Sequence, residues 1–359
     1  MKALYIFLII IILFIACDDE YKPNDNEPKE YDTLSVMSYN LYFGANIFPL
    51  LLSESVDDLA ENTLPIYKEI LEANDFNDRG KKIAEMIAEN DIDIVCLQEV
   101  AKFYSQEKSD YIDSNVTPNA DILEIDYLDV IMSNLNALGK DYVLISYTNN
   151  SDEEFPSTFD NINYFDIRMV EGDAIIAKSS LNIVAENSLR YTDNIRFSLP
   201  AFPIDTISLY KSVTYAQIYG VTLANTHLEI GLGDTQERQA DELLDLFSDR
   251  DNVILAGDFN SGPQESGGFE TPSYENILLE YLDTYEEINP GGELYTCCQD
   301  SLNQVENSAT SRIDIVFYKG NRLKVLDFYP LGNTIESKTD GGRWASDHIA
   351  VVSVIQIEK

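Results

Sequence analysis

The chain has 359 residues, with 63 Asp and Glu against 24 Lys and Arg, a formal net charge of −39. Hydrophobic residues make up 45% of it, enough apolar material for a real core, which excludes wholesale disorder. A surface this acidic repels polyanions and disfavours a basic-groove nucleic-acid binder, although a nuclease that holds phosphate through a metal ion stays open.

From the N-terminus, Ala3 to Ala16 is an unbroken apolar run behind one charge, Lys2. It is too short for a membrane span, which needs about 20 residues, and suits the apolar region of a signal peptide. The run Leu13-Phe14-Ile15-Ala16-Cys17 resembles the lipobox of a bacterial lipoprotein, with Phe14 where Leu is usual. That resemblance implies a signal peptide over 1–16, lipidation at Cys17, export, and a lipid anchor to a bacterial membrane, periplasmic or at the cell surface. An ordinary secretory signal or a short anchor is the alternative. Residues 17–33 are polar, carry Pro23 and Pro28, and read as a flexible tether. Residues 34–359 show no repeat or second linker and read as one domain.

Within the domain Leu34 to Tyr39 alternates as a strand. The apolar run Ile47 to Leu52 is expected in the core rather than on a cleft rim, and Pro65 to Glu72 as a helix. Arg79 to Glu89 has helical spacing and leads into an apolar strand, Ile92 to Leu97. Tyr111 to Gly139 begins acidic and loop-like and then turns helical; this stretch and 45–77 read either as lids or as decorated surface. Tyr215 to Ala224 and Val253 to Ala256 are further strands, separated by a helix over Thr235 to Phe247 with Thr235 as N-cap. Ile313 to Tyr318 and Leu323 to Phe328 flank Lys319-Gly320-Asn321-Arg322 as a hairpin, and Ile349 to Ile357 is the last strand. Strands and helices in this order predict an α/β sandwich, sheets face to face with helices outside. Cys96 is expected as a buried thiol. Cys297-Cys298 could form a ring disulfide or bind metal, but one buried thiol and no disulfide framework is the preferred reading.

Several strands end in acids, amides or histidines: Asn40, Gln98-Glu99, Asn225-Thr226-His227 and Asp258-Phe259-Asn260. Rigid strand ends of α/β proteins hold ligand-binding side chains in a cleft. Singly, each has a plain structural explanation: turn formers at Asp258 and Asn260, a loop start at Glu99, a core histidine at His227. With only two histidines, His227 and His348, a His-rich zinc site is out, and a metal is expected on carboxylates, hence Mg²⁺, with Mn²⁺ or Ca²⁺ possible.

Together, Y-N at 39–40, L-Q-E-V at 97–100, N-T-H-L-E at 225–229, G-D-F-N-S at 257–261, R-I-D-I-V-F at 312–317 and S-D-H at 346–348 resemble the endonuclease/exonuclease/phosphatase superfamily, in its order. The T-C-C-Q run at 296–299 and W-A-S-D-H at 344–348 look like a secreted subgroup of it. The resemblance implies a four-layer α/β/β/α sandwich of the DNase I-like kind and metal-assisted phosphoester hydrolysis. It makes Glu99 the principal metal ligand with Asn40 beside it and Asp347 at the metal side. Asp258 and Asn260 position and deprotonate the attacking water, Asp314 pairs with His348, and His227 contacts the scissile phosphate or the leaving oxygen.

The expected activity is that of an exported Mg²⁺-dependent phosphodiesterase with a phosphoester substrate and a membrane contact through its lipid anchor, monomeric by preference. Nucleic acid enters only as a possible substrate, in an extracellular DNase I-like alternative. Such a nuclease needs a basic face, for which Arg312, Lys319, Arg322 and Lys324 are the candidates. A sphingomyelinase-like lipid phosphodiesterase needs an apolar rim, for which Ile47 to Leu52 is the candidate. A silent binding protein on the same scaffold would have broken motifs, and these are intact.

Overall fold

A computed structural model describes residues 29–197, 207–231, 234–263 and 272–359. The signal peptide, Cys17 and the tether up to residue 28 lie outside the described residues. The first strand, β1 (Tyr31–Asn40), sends Leu34 and Val36 to one side and Met37 and Tyr39 to the other, and all four are buried. A strand covered on both faces belongs to an inner layer.

The chain continues through α1 (Phe48–Leu51), α2 (Val56–Lys68), α3 (Phe76–Glu89), β2 (Ile94–Gln98), β3 (Lys102–Gln106), β4 (Ile122–Asp126) and α4 (Tyr127–Ala137). A long hairpin follows, β5 (Tyr142–Thr158) and β6 (Tyr164–Lys178), then β7 (Val184–Arg190) and a small pair, β8 (Ile195–Phe197) with β9 (Ile207–Leu209). After these come β10 (Ser212–Ile218), β11 (Val221–His227), α5 (Thr235–Leu246), β12 (Val253–Asp258) and α6 (Pro272–Ile277). The last elements are β13 (Leu282–Asp283), α7 (Thr284–Ile288), β14 (Asp314–Lys319), β15 (Leu323–Leu331) and β16 (Ala350–Glu358).

One sheet has the order β15-β16-β1-β2-β6-β3-β4, with β5 also on β6; the other runs β13-β14-β12-β11-β10-β7. Three apolar clusters mark the boundaries of four layers. Met37, Tyr39, Val95 and Leu97 pack under Ile83, Ile87 and Ile131 of the first helical layer. Val36, Ile94 and Ile175 meet Leu223, Ile254 and Val316 between the sheets. Val213, Leu255 and Phe317 pack against Leu243, Phe247 and Tyr274 on the far side. The fold is the α/β/β/α sandwich. Among the described residues no helix is long and apolar enough to cross a membrane.

Several local expectations are corrected. The stretch Tyr215 to Ala224 is two strands, because Tyr219 and Gly220 both take positive φ, 53° and 75°, and close a two-residue turn. The expected hairpin around Lys319–Arg322 does not form. There β14 pairs with β12 and β13, whereas β15 pairs with β16 in the other sheet. The chain crosses between layers at Gly320, where a Cβ would lie 2.3 Å from Asn252 Oδ1. The N-cap of α5 is Asp234, not Thr235, and pairing of Tyr31 with Glu358 starts β1 before Leu34. Segments 45–77 and 111–139 build the outer helical layer, with Leu59, Ile66, Ile131 and Leu135 buried. Cys96 is a buried free thiol, and Cys297 and Cys298 are joined in a disulfide rather than left as thiols.

The sheets are held in register by a buried amide. Asn225 donates from Nδ2 to Leu97 O and Ala174 O, both at 2.9 Å, and its Oδ1 accepts from Gln98 Nε2 at 2.6 Å. Asn225→Ala strands those groups away from water, and an unmade buried hydrogen bond costs about 1–3 kcal/mol. We expect the variant to lose roughly 2–4 kcal/mol in denaturant unfolding; a loss within experimental error would contradict this role.

Candidate active site

Both sheets present polar residues at one edge of the sandwich, and strand direction decides where in the sequence they fall. β1 runs parallel to β2, and β11 to β12; Asn40, Glu99, His227 and Asp258 lie at or just beyond their C-terminal ends. β14 and β16 run antiparallel to β12 and β1, so Asp314 and His348 stand at or before their beginnings. Register completes the alignment: His227 is opposite Asp258, which is opposite Asp314.

Where the chain leaves these strands it turns through left-handed backbone. Glu99 has φ 54°, Asn260 48° and Tyr42 61°. Such a conformation is uncommon for non-glycine residues and concentrates at functional sites. Asn40 donates from Nδ2 to Glu99 Oε1 and to Asp258 Oδ2, each at 3.0 Å, so one amide bridges acids of both sheets. Phe43 N donates to Glu99 Oε2. Asn260 N donates to Asp258 Oδ1 at 2.9 Å, and Asn260 Nδ2 lies 3.2 Å from His227 Nε2.

His348 Nδ1 is 2.9 Å from Asp314 Oδ2. Its Nε2 faces the cleft, 3.9 Å from both Asp258 Oδ2 and Asp347 Oδ1. The 296–299 turn clamps this loop. Cys298 N and Gln299 N donate to Asp347 O at 3.1 Å, Thr296 Oγ1 accepts from Asp314 N, and Cys297 Sγ lies 3.5 Å from His348 Nε2. On the helical side the buried Arg79 guanidinium donates to Leu41 O, Tyr42 O and Ala345 O, tying together the loops that carry Glu99's partners and Asp347.

Reading strand ends alone misses three groups. Glu171 and Asp173 on β6, and Lys211 just before β10, precede their apolar runs because both strands are antiparallel to their neighbours. Asp173 Oδ1 is 3.9 Å from His227 Nδ1, and Asp173 Oδ2 accepts from Asn150 Nδ2 and Ser212 Oγ at 2.8 Å. Lys211 Nζ lies 3.1 Å from both ring nitrogens of His227. The available signal was a polar residue opening an apolar run, as at Asp173-Ala174-Ile175-Ile176.

The electrostatics divide the two histidines. Burial, then Lys211 and His348, push the His227 imidazole well below its ordinary range, so it stands neutral. Burial opposes charge on His348 too, but Asp314, Asp347 and Asp258 outweigh it and hold the ring well above its usual range. Burial and Asp314 raise Asp258 to about 7. Burial raises Asp347 to about 6 and Asp173 to about 6, and Glu171 to about 8. Glu99, Asp258, Asp314 and Asp347 thus gather around one imidazolium, and the buried Asp314 Oδ1 has no hydrogen-bond partner. A surplus of hard, negatively charged oxygens fits a hard divalent cation such as Mg²⁺.

Three of the four basic-face candidates are engaged elsewhere. Arg312 is buried on Asp283 and Glu286 at 2.6 and 2.8 Å, Lys319 bonds Phe247 O and Glu280, and Arg322 bonds Glu358 O and Tyr219 O, while Lys324 on β15 is exposed. The expectation for Ile47 to Leu52 also changes: Leu50 is buried, but Phe48 is 48% exposed and Leu52 78%. Ile47, Phe48 and Leu51 form one wall of a cavity of about 320 Å³ that opens onto Glu99, Asp347 and Lys211.

A four-layer sandwich with acids, amides and two histidines at one sheet edge is the arrangement expected of a phosphoester hydrolase. The model of the Endonuclease/Exonuclease/phosphatase family matches residues 37–348, and the chain belongs to that family, whose members hydrolyse phosphoester bonds. Among solved structures, an endonuclease/exonuclease/phosphatase family protein from Leptotrichia buccalis is 17% identical with a TM-score of 0.53, over 90% of this chain and 99% of its own. The endonuclease/exonuclease/phosphatase from Bacteroides vulgatus is 12% identical with a TM-score of 0.52, over 91% and 100%. A family protein from Bacteroides thetaiotaomicron is 18% identical with a TM-score of 0.52, over 92% and 100%. At such identities the likeness is one of fold. No curated protein matches the chain at a significant level.

The raised acids set a pH dependence of stability. Between the ordinary carboxylate range near 4 and about 8, the folded state binds more protons than the unfolded one at Asp173, Asp258, Asp347 and Glu171. Stability therefore falls as pH rises through that window. His348, raised, acts in the same sense, its contribution full below the unfolded value and lost through the folded one; His227, lowered, opposes it. We expect the melting temperature of chelator-treated protein to drop from pH 5 to pH 8 and Mg²⁺ to restore more at pH 8. A Mg²⁺ shift larger at pH 5, by scanning calorimetry, would contradict this.

Proposed function

We propose that the chain is an exported, lipid-anchored, Mg²⁺-dependent phosphodiesterase. The observation that carries the reading is the single row His227–Asp258–Asp314 with His348 closing on Asp314 at 2.9 Å. Export and the anchor rest on the Leu13–Cys17 run of the sequence.

A phosphodiester resists attack because its anionic oxygens repel nucleophiles. Glu99 and Asp347, with Asn40 bracing Glu99, would hold a divalent cation, which would supply charge neutralisation at those oxygens. Asp258, raised towards neutrality, accepts the proton of the attacking water, which Asn260 orients. His348, held as an imidazolium by Asp314, gives its proton to the leaving oxygen as that P–O bond breaks. Neutral His227, with Lys211 against its ring and Asp173 beyond, faces the same phosphorus from the other sheet.

The cavity favours a compact phosphoester with an apolar substituent over a polynucleotide. Ile47, Phe48, Leu51, Ile195, Phe197 and Leu209 line it, together with the buried Phe155 and Met169. Among the described residues lining it, Lys211 is the only cation, too little positive charge to hold a phosphate backbone continuing past the cleft. With Arg312, Lys319 and Arg322 engaged in internal contacts, only Lys324 of the candidate basic face stays exposed, which weighs against the nuclease reading.

The test is hydrolysis of methyl, butyl and hexyl p-nitrophenyl phosphate beside plasmid DNA, RNA and sphingomyelin. We expect Mg²⁺-dependent turnover abolished by chelator and lowered about 10²–10⁴-fold by Asp258→Ala or His348→Ala in folded protein. kcat/KM should rise along the alkyl series, since each buried methylene is worth about 0.8 kcal/mol. Full activity in either variant or in excess chelator would sink the mechanism, and DNA nicking with a flat alkyl series would replace the substrate reading by a nuclease.

A further inference from the structure

Further along the β5–β6 hairpin from Asp173, on side chains that do not line the cavity, three carboxylates converge. Asp110 lies in the loop after β3, Glu154 on β5 and Asp166 on β6, and each offers an oxygen within 4.8 Å of the other two. Asp166 stands seven residues along β6 from Asp173, roughly 23 Å at about 3.3 Å per residue, so this group is separate from the candidate active site.

Each carboxylate has one satisfied oxygen and one that is not. Asp166 Oδ2 accepts from Asp110 N and Tyr111 N, at 2.9 and 3.4 Å, and the Ser109 hydroxyl also interacts with this side chain. Glu154 Oε2 accepts from Asn119 N and Ala120 N at 2.7 and 2.6 Å. Asp110 Oδ2 accepts from the side chains of Asn115 and Asn119 at 2.8 and 2.9 Å. The remaining oxygens, Asp110 Oδ1, Glu154 Oε1 and Asp166 Oδ1, are buried without a hydrogen-bond partner. Asp166 is 0% exposed and Glu154 3%.

Buried charges need a partner, and the local cation, Arg168, reaches Glu154 only through its field, not a hydrogen bond. Arg168, opposite Glu154 in the hairpin register, closes two 2.6 Å bonds on Asp152. Burial raises both Glu154 and Asp166, the mark of carboxylates short of positive charge. Loop backbone amides hold Asp166 and Glu154, and the Asn115 and Asn119 side-chain amides hold Asp110.

We propose that Asp110, Glu154 and Asp166 bind a calcium ion that fastens the 109–120 loop to the far end of the β5–β6 hairpin. Calcium accepts irregular sets of carboxylate oxygens at about 2.3–2.6 Å, so one ion spans oxygens up to roughly twice that distance apart. Mg²⁺ demands a tighter octahedron at about 2.0–2.1 Å and keeps most of its water. The ion acts on structure, since no group of this cluster reaches the cleft.

The test is calorimetric titration of chelator-treated protein with Ca²⁺ in excess Mg²⁺, on wild type, Asp166→Asn and Glu154→Gln, with melting temperatures alongside. Wild type should take up one Ca²⁺ more per chain than either variant. Its Ca²⁺-induced melting shift should fall by at least half in each. In chelator both variants should melt no lower than wild type, because each removes a buried negative charge and keeps the shape, whereas damage to the loop alone lowers the melt. Should one variant fail to fold, the other decides. Equal Ca²⁺ uptake in wild type and variant, or an undiminished shift, overturns the site.

Discussion

A carboxylate buried without a cation is costly, because the charged form loses its hydration and gains no compensating partner. This chain gathers Glu99, Asp258, Asp314 and Asp347 around one histidine pair at the edge where its two sheets meet. The buried part of that charge is made tolerable by amides and imidazoles: Asn40 bridging Glu99 to Asp258, and His348 held on Asp314. The strain in the arrangement is visible in the raised Asp258 and Asp347 and in the left-handed backbone at Glu99 and Asn260. A bound divalent cation would relieve both the repulsion and the proton affinity, and would couple stability of the fold to occupancy of the cleft.

Holding such a cluster requires that the sheets not slide. Asn225 supplies that constraint between Leu97, Gln98 and Ala174, and it sits two residues before His227 on the same strand. One buried amide thus fixes both the sandwich and the distance between the histidine of one sheet and the glutamate of the other. Arg79 does the same for the loops, and the vicinal Cys297–Cys298 turn for Asp347 and His348.

Much of this was legible in the residues. Parallel strands β1, β2, β11 and β12 end in their polar residues, so Asn40, Glu99, His227 and Asp258 stand out beside apolar runs. The antiparallel strands reverse that order. Glu171, Asp173 and Lys211 come before their apolar runs and look like loop residues until the pairing is known. The missed break at Tyr219-Gly220 and the false hairpin at Lys319–Arg322 share one cause. Alternation reports which face is buried, not which strand lies alongside, and β14 and β15 bury similar faces in different sheets. The cavity wall at Ile47, Phe48 and Leu51 was hidden for the opposite reason: apolar residues lining a cavity and filling a core carry the same signal in one dimension.

The most direct measurement of the central claim is proton release on metal binding. Mn²⁺ is titrated into chelator-treated protein at pH 6.5, in two buffers of different ionisation enthalpy, on wild type and on Glu99→Gln. If a cation displaces the protons that Asp258 and Asp347 hold through their raised affinities, wild type releases protons at pH 6.5 and nearly none at pH 9. Glu99→Gln should bind Mn²⁺ at least tenfold more weakly. Binding with no proton release at pH 6.5, or with the affinity of wild type in Glu99→Gln, would contradict the account.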